Sequence, residues 1–109
     1  MPDVQYRCPV ETTLKIVGGK WKPSILYSLH QGTQRFGELK RLLPDVTQRM
    51  LTLHLRELER DMLIHRTAYM EVPPKVEYSL TEFGASLVPI LLLMRDWGEQ
   101  YIREVDVAP

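Results

Sequence analysis

Residues 36–61 read FGELKRLLPDVTQRMLTLHLRELERD. Phe36, Leu39, Leu42 and Leu43 are spaced to face inward from a short helix over 36–43, and Pro44 ends it. Asp45 and Val46 make a tight connection, and Thr47 is a good N-cap for a second helix that runs to about Asp61. Two helices joined by so short a turn predict a helix-turn-helix over about 36–61. At about 100° per residue, the second helix gathers Met50, Leu51, Leu55, Leu58 and His54 on one side. Arg49, Thr52, Leu53, Arg56 and Arg60 gather on the other, and Gln48 lies at the exposed N-terminal end.

Outward from this unit, Ile64–Met70 and Lys75–Leu80 read as two strands. The second alternates, with Val76, Tyr78 and Leu80 on one face and Glu77 and Ser79 on the other. Pro73 and Pro74 sit between the strands, where no ladder N–H is needed. A hairpin over about 64–80, directly after a helix-turn-helix, is a wing. Thr81 caps a final helix to about Glu104, with Pro89 inside it expected to kink it. Upstream, Pro9–Val17 reads as a short helix ended by Gly18 and Gly19. Lys20–Gln31 reads as another, with Trp21, Ile25, Leu26 and Leu29 as its apolar stripe. The fold class is therefore mainly α with a small β-hairpin, one winged helix-turn-helix domain over residues 1–109.

The final helix carries more apolar residues than one buried stripe requires, and a second subunit is the natural cover. Leu87, Ile90, Leu91, Met94, Trp97 and Tyr101 are the expected dimerisation residues, with the first helix completing the interface.

Net charge is zero, but Lys and Arg outnumber Asp and Glu by four through residue 70 and fall short by four after it. This predicts a basic front and an acidic back. The apolar run Leu87–Met94 is far too short to span a bilayer, and the first residues lack a signal-peptide core. The single cysteine, Cys8, excludes an internal disulfide framework and points to the reducing cytoplasm.

Major-groove reading needs a helix face like 48–56. Arginine donates in a fork to guanine O6 and N7, and glutamine bonds an adenine edge. Arg49, Arg56 and Gln48 supply those groups, Thr47 and Thr52 reach phosphates or a thymine methyl, and Leu53 lies among them. In isolation the same face also suits a solvated surface with Arg56 and Arg60 paired to Glu57 and Glu59. The preceding helix, the turn and the following hairpin decide for DNA. Arg66 and Lys75 lie on the wing, and Arg35, Lys40 and Arg41 flank the first helix of the unit, as candidate phosphate contacts.

CPVETTLKIVGGKWKPSIL, RFGELKRLLP, TQRMLTLHLRELERDMLIHR and VPPKVEYSLTEFG, in that order, resemble the HxlR-type regulators, winged helix-turn-helix proteins related to MarR-type regulators. The resemblance runs from Cys8 to about Trp97. It implies a homodimeric transcription factor of bacteria or archaea, a recognition helix over Thr47–Asp61 and a dimer built on the first and last helices. Several members respond to electrophiles or oxidants through a cysteine at the position of Cys8. Two residues depart from the family pattern, Asp45 and Met62, each standing where glycine is usual. Met62 is thereby expected in a left-handed conformation.

His30, His54 and His65 are dispersed, and no phosphate loop, dinucleotide fingerprint or zinc spacing appears, so no catalytic site, metal site or cofactor is expected. His54 reads as a packed or hydrogen-bonded core histidine. Cys8 has two readings: a thiolate favoured by the first helix N-terminus and by Arg7, or an inert helix-capping residue. A small-molecule effector is compatible with such a regulator. The alternative function is a winged-helix module that binds protein and not DNA.

Overall fold

The structure, a computed structural model, describes residues 8–105. Its elements are α1 (Pro9–Val17), α2 (Lys22–His30), β1 (Gln34–Arg35), α3 (Phe36–Leu42), α4 (Gln48–Arg60), β2 (Ile64–Tyr69), β3 (Lys75–Leu80) and α5 (Glu82–Glu104). The mainly helical winged fold expected from the sequence is the one observed. One strand is additional. β1 adds two residues to the outer edge of β3, pairing Gln34 with Tyr78 and Arg35 with Glu77, so the sheet has three antiparallel strands in the order β1-β3-β2.

The core gathers where α2, α3, α4 and the base of the hairpin meet. Ile25 and Leu26 from α2, Leu39 from α3 and Leu51 and Leu58 from α4 are fully buried, and Tyr78 closes the sheet side. Val76 and Leu80 pack against the same cluster, as the alternation of β3 predicts. β2 does not alternate. Only Ile64 is buried and the residues to Tyr69 are exposed, because the hairpin runs out past the core into solvent. Two positions expected inside lie outside: Leu42, on the last turn of α3, is 54% exposed, and Met50, on the first turn of α4, is 38% exposed. Both sit at helix ends beyond the reach of the core layer. α2 begins at Lys22, two residues later than expected, leaving Lys20 and Trp21 ahead of the helix.

The end of α4 is fixed by a complete Schellman closure. Leu63 N–H donates to Leu58 carbonyl at 2.9 Å and Met62 N–H to Glu59 carbonyl at 3.0 Å. The motif requires a left-handed residue, and Met62 takes it, with φ 67°. A side chain there costs about 1–2 kcal/mol relative to glycine. The next contacts lock it in place. Thr81 donates its hydroxyl to Met62 carbonyl at 2.8 Å and its backbone N–H to Leu63 carbonyl at 3.0 Å, and the same hydroxyl oxygen caps α5 by accepting from Gly84 N–H at 2.9 Å. Gly84 lies so close to Leu63 carbonyl that a Cβ has no room.

α5 stays helical through Pro89. Its buried residues, Gly84, Val88 and Leu91, all lie in its first half, and the second half leaves the core behind. The radius of gyration is accordingly 15.8 Å, against about 13 Å for a compact chain of 100 residues. No helix among the described residues is long and apolar enough to cross a membrane.

Candidate nucleic-acid interface

The helix-turn-helix owes its geometry to local sequence. Arg35 N–H donates to the Glu38 carboxylate at 2.7 Å, which fixes the start of α3; arginine has no acceptor, so the reciprocal half of a capping box is absent. Lys40 Nζ donates to Pro44 carbonyl at 3.1 Å across the turn. Thr47 caps α4 as expected, its hydroxyl accepting from Met50 N–H at 3.1 Å.

Gln48, Arg49, Thr52, Leu53 and Arg56 line one shallow concave surface on the outer side of α4. Arg66, from β2, joins Thr52, Arg56 and Glu59 in an adjoining cleft between α4 and the sheet. The fold thus brings a wing arginine and a helix arginine to one edge. Arg35 is exposed at the N-terminus of α3. Lys75 is committed within the wing. Its ammonium lies 4.5 Å from the Tyr69 ring centroid and 3.9 Å from Glu77 Oε2, while Tyr69 donates its hydroxyl to Glu77 Oε1 at 3.1 Å.

The pairing of charges differs from the solvated-surface reading. Arg60 pairs with Asp61 at 3.1 Å and not with Glu57. Glu57 turns inward to Lys22, whose Nζ lies 2.8 Å away and whose side chain is 9% exposed. Among the described residues, Arg49, Arg56 and Arg66 make no ion pair and are exposed.

The Lys22–Glu57 pair is a strut between α2 and α4, and sequence reading missed it because a lysine in a first helical turn normally stays in water. The Lys22 hydrogen bond holds the Glu57 carboxyl below its ordinary range, working against partial desolvation. His54 is packed, as expected of a core histidine, with its buried Nδ1 3.6 Å from Glu57 Oε1; that is too long for a hydrogen bond and leaves the nitrogen without a partner.

Cys8 is the N-cap residue of α1 and is exposed. The backbone N–H groups of Glu11 and Val10 lower its thiol pKa, although neither completes a capping hydrogen bond. Arg7, expected to assist, lies outside the described residues. Among the described residues no three His, Cys, Asp or Glu side chains gather as a metal site.

The profile of the HxlR-like helix-turn-helix family matches residues 16–106. The chain belongs to the HxlR-like helix-turn-helix family. It is 64% identical to the uncharacterized HTH-type transcriptional regulator YdeP of Bacillus subtilis (strain 168), over 91% of this chain and 77% of that protein. Its fold is similar to that of the redox regulator HypR in its reduced form, with a TM-score of 0.83 and 57% identity over 90% of this chain and 96% of the other. It is also similar to diamide-treated YodB of Bacillus subtilis, with a TM-score of 0.75 and 33% identity over 88% of this chain and 96% of the other. The family assignment agrees with the resemblance carried by the sequence motifs, and Met62 has the left-handed backbone expected of it.

The strut generates an asymmetric prediction. Glu57→Gln leaves a buried ammonium without its counter-ion and costs about 1–3 kcal/mol in urea unfolding at pH 7. Lys22→Met removes the buried charge and leaves Glu57 free to hydrate, so it costs less. Because the folded carboxyl titrates below the unfolded value of about 4.3, the pair's contribution is full above that value. It is lost as pH falls through the folded one. The difference between wild type and Glu57→Gln is therefore constant above about pH 4.3 and shrinks as pH falls through the folded value, and a difference that stays the same across the whole acid range contradicts the assignment.

Proposed function

We propose that the chain is a transcription regulator that binds double-stranded, pseudo-palindromic DNA as a homodimer and responds to oxidants or electrophiles through Cys8. The observation that carries DNA binding is the exposed outer face of α4, whose Arg49 and Arg56 have no carboxylate partner among the described residues. Lys22, Arg60, Lys75 and Arg95 each have one. Unpaired guanidinium groups are ready for base edges and phosphates without an ion pair to break. In this reading Gln48, Arg49, Thr52, Leu53 and Arg56 face bases, while Thr47, Arg35 and Arg66 meet the backbone. Lys75 contributes less than the other cations because Glu77 already faces it. The relatives' role as transcriptional regulators supports this reading over a protein-binding module or an enzyme. It places the protein in the cytoplasm, where an operator is accessible, and needs no cofactor.

Homodimerisation is supported by the second half of α5. Leu87 and Leu91, two of the expected interface residues, are drawn into or against the subunit's own core, so the free face consists of others. Ile90, Leu93, Met94, Trp97, Tyr101 and Ile102 are exposed on α5, and Val10 and Leu14 are exposed on α1. Trp97 stacks on Tyr101 with ring centroids 5.3 Å apart. A face of this size on a lone subunit calls for a cover, and an identical subunit offers the same face in return.

Redox response is supported by the exposed, pKa-lowered thiol at the α1 N-terminus and by the likeness to two regulators solved in defined redox states or after diamide treatment. A thiolate is the reactive form. Oxidation converts it to a sulfenic acid, or joins it to a small thiol or to the second Cys8 of the dimer, with the oxidant taking two electrons.

Three outcomes are expected. Arg49→Ala and Arg56→Ala each weaken binding to an operator selected from random duplexes by about 1–3 kcal/mol, measured by titration at fixed salt. Unchanged affinity in both, with folding intact, removes α4 as the reading element. Light scattering gives a dimer at micromolar concentration, and Trp97→Glu shifts it to monomer with α-helical circular dichroism retained; a wild-type monomer refutes the assembly. Iodoacetamide alkylates Cys8 with an apparent pKa below that of a free cysteine measured alongside it, and diamide changes operator affinity in wild type but not in Cys8→Ser. Equal diamide responses in both proteins eliminate the sensor role.

A further inference from the structure

Leu53 stands in the middle of the outer face of α4, with Arg49 one turn before it and Arg56 one turn after it, and is 45% exposed. Positions i, i+4 and i+7 share a helix face. Single exposed leucines are ordinary on protein surfaces. This one lies in a concave surface whose other lining groups are Gln48, Arg49, Thr52 and Arg56. Beside it, the Thr52 hydroxyl donates to the Gln48 carbonyl at 2.9 Å. A hydroxyl has one proton, so Thr52 keeps none for a base edge and offers its lone pairs and its methyl group. The centre of the face, at 52 and 53, is thus without a free side-chain donor, while donors stand around it at 48, 49 and 56.

On a base-pair edge in the major groove, the apolar feature is the C5-methyl group of thymine. We infer that Leu53, with the Thr52 methyl beside it, reads a thymine methyl in each half-site of the operator, between the bases met by Arg49 and Arg56. The inference rests on the DNA-binding reading and adds the base chemistry that the helix selects. At about 1.5 Å of rise per residue, Arg49 and Arg56 are about 10 Å apart along the helix. That is about three base-pair steps of 3.4 Å, room for one central contact between two arginine contacts.

The test uses the full-length protein and a duplex selected from a random pool. Each thymine is replaced in turn by deoxyuridine, which removes the methyl group and keeps every hydrogen-bonding group. At one thymine per half-site the replacement weakens wild-type binding about 3- to 10-fold, the scale of one buried methyl group. Leu53→Ala binds the thymine and uracil forms of that site equally, and Thr52→Ser, which keeps the hydroxyl, shows a smaller uracil effect than wild type. Wild type that binds every uracil-containing duplex as tightly as its parent overturns methyl reading and leaves DNA binding standing. A uracil effect of the same size in wild type and Leu53→Ala places the methyl contact elsewhere and overturns it as well. Wild type that selects no duplex from the pool overturns the DNA-binding reading and this inference together.

Discussion

Thr81 joins three chain segments with one side chain and one peptide group. Its hydroxyl bonds the carbonyl that follows α4 and caps the N-terminus of α5, while its backbone N–H bonds the first residue beyond the left-handed turn. The direction of α4, the point where the hairpin leaves the core and the direction of α5 are thereby set at one place. Valine has nearly the same shape but lacks the oxygen that both accepts and donates here. The arrangement also explains why Met62 tolerates a backbone region that favours glycine. The surrounding hydrogen bonds fix the turn more strongly than its side chain opposes it.

A second constraint acts within α4 itself. The Lys22–Glu57 strut ties the last turn of α4 to α2, whereas Thr81 ties the turn that follows it. The apolar seam of Leu51, Leu55 and Leu58, most of it ahead of both ties, is buried against the core. The helix is therefore held by three kinds of force, and Arg49 and Arg56 on its outer face are left without an ion-pair partner among the described residues. That division gives a rigid platform that presents the exposed arginines.

The elements that were legible in the sequence are those with a strong local cause. Thr47 and Thr81 are capping residues placed just before periodic apolar runs, and both cap as read. The strict alternation of Val76, Tyr78 and Leu80 marked β3 to the residue. What stayed hidden depends on distant partners. β1 is two residues long and exists only because β3 offers an edge, so Gln34 and Arg35 carry no strand pattern of their own. The burial of Lys22 depends on Glu57, thirty-five positions away in the chain. Leu42 and Met50 obey helical periodicity, but periodicity does not know where the core layer ends. Within the candidate interface the face of α4 was readable because one helix carries it. The self-contained Tyr69–Lys75–Glu77 cluster was not, because it depends on which side chains the hairpin register brings together.

The outer face of α4 and the exposed apolar face of α1 and α5 have no residue in common. On the proposed function, this separates heredity of reading from heredity of pairing. After a gene duplication, substitutions at 48, 49, 52, 53 or 56 alter which sequence one copy recognises while leaving its mating surface as it was. Sister proteins then continue to exchange subunits, and a mixed pair addresses an operator with two unlike halves. Insulating one sister from another requires a second, independent set of changes on α5, so crosstalk outlasts divergence of the recognised site.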